Sequence, residues 1–486
     1  MKIRLRCALL LALAVNDSSA ALRVDFSSAD SIRSAAKTVA SNLMTYYHGT
    51  ERGQIPGILP GPPPKGPYYW WEGGALWGTM IDYWHYTTDT TYNTETELSL
   101  VFQANSPQND YMHPNWTASL GNDDQGFWGM SAMLAAETTF QNPPPDQPQW
   151  LALAQAVFNT QASRWDTDYC RGGLRWQIPL SNNGYNYKNS IANAVFFNIA
   201  TRLARYTGND TYAEWAAKTW DWMSIEKGVG YIDADYNVFD GAHVEDNCTD
   251  INLAQFSYTA VILIQGLGFL HNHTNGQQPI WSTRLRLLTN KTLSLFFSNG
   301  TAVEPSCELE NAIQCTTDML SFKGYVHRWL AQTTQMAPFL EPIIMPILKT
   351  SAQSMAQSCL EDGTCGFRWN RGAYDGNTGA GQQMNALGAL VSMLVHEPGV
   401  KVAVTNGTGG TSPGDPNAGS NTHFEGQFEM DNTLTNGDRV GAGIVTTIVL
   451  ASLLGAFGWM ASCAGEVDNW PEGRGVEKGK GSEKLK

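Results

Sequence analysis

Apolar residues recur at three- and four-residue intervals along most of the chain, and strand-like alternation is scarce. This spacing predicts helices over 29–48, 71–88, 92–105, 123–140, 147–165, 187–208, 210–227, 251–273, 279–298, 317–334, 338–361 and 379–397. Short breaks alternate with longer ones, as in a series of αα-hairpins. One tight turn nearly repeats: Thr87-Thr88-Asp89-Thr90-Thr91-Tyr92 and Thr207-Gly208-Asn209-Asp210-Thr211-Tyr212 each end one apolar helix and cap the next. No strict period accompanies it, so the chain is not a simple solenoid. Six such hairpins can close into an all-α (α/α)6 barrel, whose longer loops gather at one end and build a site. A long irregular helical array is the alternative. The Pro/Gly-rich stretches Pro56–Pro67 and Asn142–Pro148 interrupt helices and belong on the surface.

The pattern changes at both ends. Residues 1–20 read as a secretory signal, with Lys2, Arg4 and Arg6 as the basic region, Cys7–Val15 as a short apolar run and Ser18-Ser19-Ala20 as the cleavage site. Residues 21–400 make the helical domain. From Asn406 to about Asp438 the composition turns to Gly, Ser, Thr, Asn and Pro, which predicts a flexible stalk over 401–439. Val440–Ala464 carries no charge and is long enough to cross a bilayer. A polar tail, 465–486, follows it. A lipid-anchor (GPI) signal ends on its hydrophobic segment, so the tail favours a retained span. Either way the helical domain is expected outside the cell, at the outer face of the plasma membrane or in the cell wall.

Secretion accounts for two further features. N-x-Ser/Thr acceptors occur at Asn115, Asn209, Asn247, Asn272, Asn290, Asn299 and Asn406. Six cysteines lie between the ends: Cys170, Cys248, Cys307, Cys315, Cys359 and Cys365. Short spacing favours 307–315 and 359–365 as disulfides and leaves 170–248; a zinc site is the rival, disfavoured by the absence of CxxC and by an oxidising compartment. At 486 residues and 42% hydrophobic content the chain can bury a large core, and its net charge of −14 argues against nucleic acid, which needs a basic surface.

The candidate chemistry centres on Gly121-Asn122-Asp123-Asp124-Gln125-Gly126-Phe127-Trp128-Gly129. Asn122 is placed to cap a helix with Gln125 as its reciprocal partner. Asp123 and Asp124 then fall in the first turn, where free N–H groups and the dipole favour negative charge. Solvated aspartates at a helix start are common and need no function. Like charges this close resist double ionisation, however, and one ionised carboxylate beside one protonated is what glycoside cleavage requires. The run Tyr68–Trp77, with Trp71 and Glu72, reads equally as a sugar-stacking wall or as an aromatic core wedge. Trp176, Gln177 and Asn189, with Lys188 beside them at a helix mouth, offer donors for sugar hydroxyls; capping and loop bonding is the alternative. Phe239-Asp240-Gly241 is an Asp-Gly turn, and most such turns are only turns. His243, His271 and His273 lack metal-ligand spacing, and no cofactor motif is present.

The segments WWEGGALWGTMIDYW, GNDDQGFWGM, GGLRWQI, GYNYKNSIAN and DGNTGAGQQMNALGAL, in this order, resemble glycoside hydrolase family 76, with similarity over Asp25–Pro398. The likeness is to its fungal cell-wall branch, the mannan endo-1,6-α-mannosidase-like proteins. It implies an (α/α)6 barrel, no metal or cofactor, and a retaining mechanism on α-1,6-linked mannose, with Asp123 as nucleophile and Asp124 as acid/base. Trp71, Glu72, Trp128, Trp176, Gln177, Asn189, Asp240 and Tyr258 are the expected substrate contacts. The implied partners are α-1,6-mannan or the mannose core of anchored glycoproteins, with β-glucan as a transglycosylation acceptor. The chain departs from the family where Tyr258 is followed by Thr259 instead of Asn. A catalytically silent mannan-binding surface scaffold is the competing reading, and an (α/α)6 epimerase a third. Retention of both aspartates favours the enzyme, because binding alone needs no adjacent acid pair.

Overall fold

The computed structural model describes residues 21–309, 314–420 and, within 446–455, all but 448 and 453. The signal sequence and the polar tail lie outside the described residues, as does most of the 440–464 segment. The chain divides into a unit Met1–Thr422 and a unit His423–Lys486. In the second unit the described residues are helical, and no helix among the described residues is long and apolar enough to cross a membrane.

All twelve expected helices form in the first unit: α1 Ala29–Met44, α2 Trp70–Thr87, α3 Asn93–Gln103, α4 Asn122–Glu137, α5 Trp150–Ser163, α6 Ser190–Thr207, α7 Asp210–Met223, α8 Ser257–His273, α9 Pro279–Phe296, α10 Phe322–Met336, α11 Glu341–Gln357 and α12 Ala380–Ser392. The even helices pack side by side in the closed order α2–α4–α6–α8–α10–α12–α2, and each odd helix lies against the ring from outside. This is an (α/α)6 barrel. Burial follows the layers. Every residue of α4 except Asp123 is buried, whereas α9 buries mainly one stripe, Trp281, Leu285, Leu288, Thr292 and Phe296.

The repeated turn does the same work twice. Thr88 and Gly208 end α2 and α6 in the left-handed conformation, and Asp89 and Asn209 then accept the N–H of Thr91 and Thr211 at 2.9 and 3.0 Å. Inside the ring Gly73 and Gly74 let α2 approach Trp128 of α4 so closely that a Cβ on either would stand 3.0 Å from it. Two buried ion pairs tie the ring together: Arg202 of α6 grips Glu137 of α4, and Arg328 of α10 meets Asp82 of α2 at 2.6 Å.

Three expectations need correction. Residues 187–189 form not helix but a strand, β1 Tyr187–Asn189, antiparallel to β2 Gly241–His243 with Lys188 opposite Ala242. Residues 251–256 are likewise not helical, because Asn252 spends its backbone groups on Asp240 and Gly241 at the edge of that ribbon. Third, residues 401–420 do not leave the domain as a stalk. They run along its outside, with Ala403 and Val404 buried and Val404 N–H on the Glu137 carbonyl. Arg205 holds the Ala403 carbonyl, Ser412 caps Leu151, and Asn159 holds the carbonyls of Pro416 and Ala418. Composition reports the lack of a hydrophobic pattern; it does not report backbone groups that α5 and α6 can satisfy.

The cysteines pair as 170–248, 307–315 and 359–365. Of the seven sequon asparagines, Asn115, Asn209, Asn247, Asn290, Asn299 and Asn406 are exposed. Asn272 is the exception: its amide binds Arg205 and the Met336 carbonyl, so the atom a glycan would use is already engaged.

Candidate active site

α4 starts one residue earlier than an Asn122 cap would place it. Gly121 is the N-cap, extended at φ −97° and ψ 162°. The shift comes from an isolated bridge between Gly121 and Gln177, in which Asn122 N–H donates to the Trp176 carbonyl and Ile178 N–H to that of Leu120. Capping falls to Asp124, whose Oδ2 accepts the Gly121 N–H at 2.8 Å. Asn122 and Gln125 face away from the cleft and are bound to Arg164.

The first turn therefore opens into a cleft of about 610 Å³ at the loop-rich end of the barrel. Asp123 and Asp124 form part of its floor. A Cβ placed on Gly121 would lie 2.3 Å from Asp123 Oδ1 and 2.4 Å from Asp124 Oδ2, so these two oxygens stand less than about 5 Å apart. Asp123 Oδ1 is out of reach of solvent and accepts no hydrogen bond within the described residues. The Trp176 side chain donates to the same carboxylate.

Burial sets the acidity of both groups. It raises the pKa of Asp123 to about 7 against the pull of the helix N–H groups. Asp124 is pushed well above its usual range, first by burial and then by the charge of Asp123. Of the pair, Asp124 is the one placed to hold a proton while Asp123 ionises.

The walls gather residues from the starts of α2 and α8 and from the segments that precede α6 and α8. Trp71, Trp176, Gln177, Asn189, Asp240 and Tyr258 all line the cleft. Trp176 is 36% exposed, with its ring at the opening, and Gln177 takes a hydrogen bond from Asn182. Asn189 caps α6, and Asp240 accepts from the Tyr187 hydroxyl at 2.7 Å. Tyr258 stacks on Phe322 with centroids 3.8 Å apart.

Two expected contacts are not in the cleft. Trp128 is fully buried between Trp70 and Tyr111, because one residue past Phe127 the helix has turned about 100° toward α2. Glu72 lies buried below the Trp71 wall, where its Oε2 caps the Tyr69 N–H; burial and the nearby Asp318 raise its pKa well above the usual range. Lys188 is not at the mouth either: its ammonium is buried among the carbonyls of Asp166, Tyr169 and Gly172, and so clamps the loop that precedes Trp176.

The structure adds residues that the sequence leaves unmarked. Tyr69, Phe127 and Tyr187 lie within the runs named above and Asn182 lies beside one, but none of the four is singled out there. Asp318, in an ordinary Thr-Thr-Asp stretch after Cys315, carries no signal.

Comparison with known proteins supplies the context. Residues 31–406 match "Glycosyl hydrolase family 76". The chain is 44% identical over 448 residues to "Mannan endo-1,6-alpha-mannosidase DCW1" of Eremothecium gossypii, covering 91% of this chain and 96% of that protein. Its structure is similar to a crystal structure of Dfg5 from Chaetomium thermophilum in complex with glucosamine, with a TM-score of 0.77 and 50% identity over 82% of this chain and 98% of that one. An inactive variant of the α-1,6-mannanase GH76A from Salegentibacter sp. HEL1_6, in complex with α-1,6-mannotriose, shares the fold at a TM-score of 0.59 and 15% identity, covering 75% of this chain and 99% of that one.

Proposed function

The chain belongs to glycosyl hydrolase family 76, and on that premise we propose that it is an endo-acting, retaining α-mannosidase for α-1,6-linked mannose. The observation that carries the reading is the convergence of the Asp123 and Asp124 carboxylates in one aromatic cleft, with Asp123 Oδ1 and Asp124 Oδ2 less than about 5 Å apart. Retaining glycosidases hold their carboxyl groups roughly 5–5.5 Å apart, whereas inverting enzymes need about 6.5–9.5 Å to admit a water. In the first step the Asp123 carboxylate forms a bond to the anomeric carbon. The glycosidic C–O bond breaks, and Asp124 gives its proton to the departing oxygen. In the second step Asp124, now ionised, takes a proton from the acceptor hydroxyl. That oxygen bonds to the anomeric carbon and frees Asp123. The raised pKa of Asp124 suits a group that must start protonated. A silent scaffold accounts less well for two buried, mutually repelling carboxylates, because binding gains nothing from that cost.

The finer proposal is transglycosylation. The donor is the mannose core of anchored glycoproteins, the acceptor a β-glucan, and the place the outer face of the plasma membrane or the wall. The α-1,6-mannose donor is supported by the name of the E. gossypii relative, and the place by the secretory signal, sequons and uncharged C-terminal segment of the sequence; the glucan acceptor is the part left to the assay below.

Asp123→Asn and Asp124→Asn test the pair. Each is expected to abolish turnover of an α-1,6-mannan oligosaccharide while circular dichroism is unchanged. With an activated leaving group, Asp124→Asn accumulates glycosyl-enzyme and Asp123→Asn does not. Full activity in either variant overturns the assignment. Adding a glucan acceptor to the wild-type reaction separates transfer from hydrolysis.

A further inference from the structure

We infer that Asp318 is a third functional carboxylate of this cleft, one that accepts the hydroxyl groups of the sugar ring lying over Asp123 and Asp124. The inference rests on the reading of the cleft as a mannoside site and deepens it.

The loop that delivers Asp318 is pinned on both sides. Ser257, at the start of α8, donates its hydroxyl and N–H to Glu304, and Ser306 donates to the Gln255 carbonyl at 2.8 Å. Cys307 is joined to Cys315. Glu308 meets the buried Lys323 of α10 at 2.7 Å. With its base fixed in this way, the loop sends Thr316, Asp318 and Met319 into the cleft wall.

Asp318 itself is aimed. Its Oδ1 accepts the Trp71 indole N–H at 2.9 Å. That indole is wedged against Phe127 and Tyr325, with centroids 4.6 and 6.1 Å away. Trp71 is thus held as much to point the carboxylate as to offer its ring.

What surrounds Asp318 gives no structural reason for a charge there. The groups that face it are acidic or phenolic: Glu72 from α2, Asp123 and Asp124 from α4, Tyr258 from α8, Tyr325 from α10, and Tyr69. Among the described residues its own hydrogen bonds come from the Trp71 indole, its own backbone N–H and Thr316, and no cation pairs with it. A half-buried carboxylate among like charges costs stability unless something compensates. Sugar hydroxyls are donors of the right kind, and their bonds to an anion strengthen as positive charge develops on the ring. The same negative charge raises the proton affinity of Asp123 and Asp124.

Asp318→Asn in the full chain, assayed on an α-1,6-mannan oligosaccharide, tests this. The amide oxygen can still accept from Trp71, so folding should survive, as read by an unchanged or higher Tm. Expected is a fall in kcat/KM of about 100-fold, mostly in kcat. Both limbs of the pH profile should move to lower pH, since a charge that held protons on the pair is gone. Trp71→Phe, which frees Asp318 without discharging it, should lose about tenfold, and the double variant no more than Asp318→Asn alone. Parity of Asp318→Asn with an active wild type overturns this inference only. So does a loss of activity with an unshifted pH profile, which marks a merely structural role. A wild type that cleaves no α-1,6-mannan overturns the parent reading and this one together.

Discussion

Gly121→Ala separates the geometry of the carboxylate pair from its chemistry. The backbone at Gly121, φ −97° and ψ 162°, is open to alanine, so the substitution adds no conformational strain. What it adds is one methyl group between the two carboxylates, 2.3 Å from Asp123 Oδ1 and 2.4 Å from Asp124 Oδ2. Ordinary contact needs about 1 Å more. The helix cannot retreat by that distance. Cβ atoms on Gly126 and Gly129 would already stand 2.1 and 2.9 Å from Val195 and Val157, which shows how closely α4 is flanked. The carboxylates must turn instead, and a displacement of about 1 Å at reacting groups costs on the order of 100-fold in rate, or about 2.7 kcal/mol of activation free energy. Losing the Asp124 cap should take a further ~1 kcal/mol of stability, which a domain of this size survives. Gly208→Ala is the matched comparison. Its φ of +72° makes alanine cost about 1 kcal/mol of stability, and no atom lies near the new methyl. We therefore expect Gly121→Ala to lose about 100-fold in kcat/KM and Gly208→Ala to lose none, at similar losses of Tm. Parity of Gly121→Ala with wild type at a fully folded temperature would show that the pair tolerates displacement, and would refute the reasoning.

Two further expectations concern stability. Ending the chain at Pro398 instead of Thr422 removes the strap that buries Ala403 and Val404 and binds Arg205, and should cost about 2–4 kcal/mol in denaturant unfolding with kcat unchanged; a flexible stalk would cost nothing. Buried Glu304 has its pKa raised by burial to about 8, above its unfolded value, so its contribution is complete at acid pH and is lost as pH rises through about 8. Glu304→Gln, which keeps an acceptor for Ser257, should flatten the fall of Tm between about pH 5 and 9, and an unaltered slope would count against it.

How much of this is legible in the sequence can be followed residue by residue. The 3.6-residue period lies in the chain itself, so the twelve helices and their pairing into hairpins can be read from it. The repeated Thr-x-Asp/Asn turns can be read as well, since their bonds span two residues. So can the three cysteine pairs, two of them within eight residues. The acid pair is visible because Asp123 and Asp124 are neighbours in sequence.

The tertiary structure decided what depends on neighbours distant in sequence. Gln177 pairs with Gly121 and moves the start of α4 by one residue, which hands the cap from Asn122 to Asp124. Phe127 faces the cleft, while Trp128, one step of helical phase further on, serves the core instead of a sugar ring. The ends of α4 and α6 and the outer helix α5 recruit residues 403–420, whose composition alone reads as stalk. Asp318 reaches the acid pair from far along the chain through a disulfide-bounded loop. Local pattern fixes what each segment is. Which side chains meet in one low-dielectric cleft, and hence which are acids, bases or wall, is set only when the ring of helices closes.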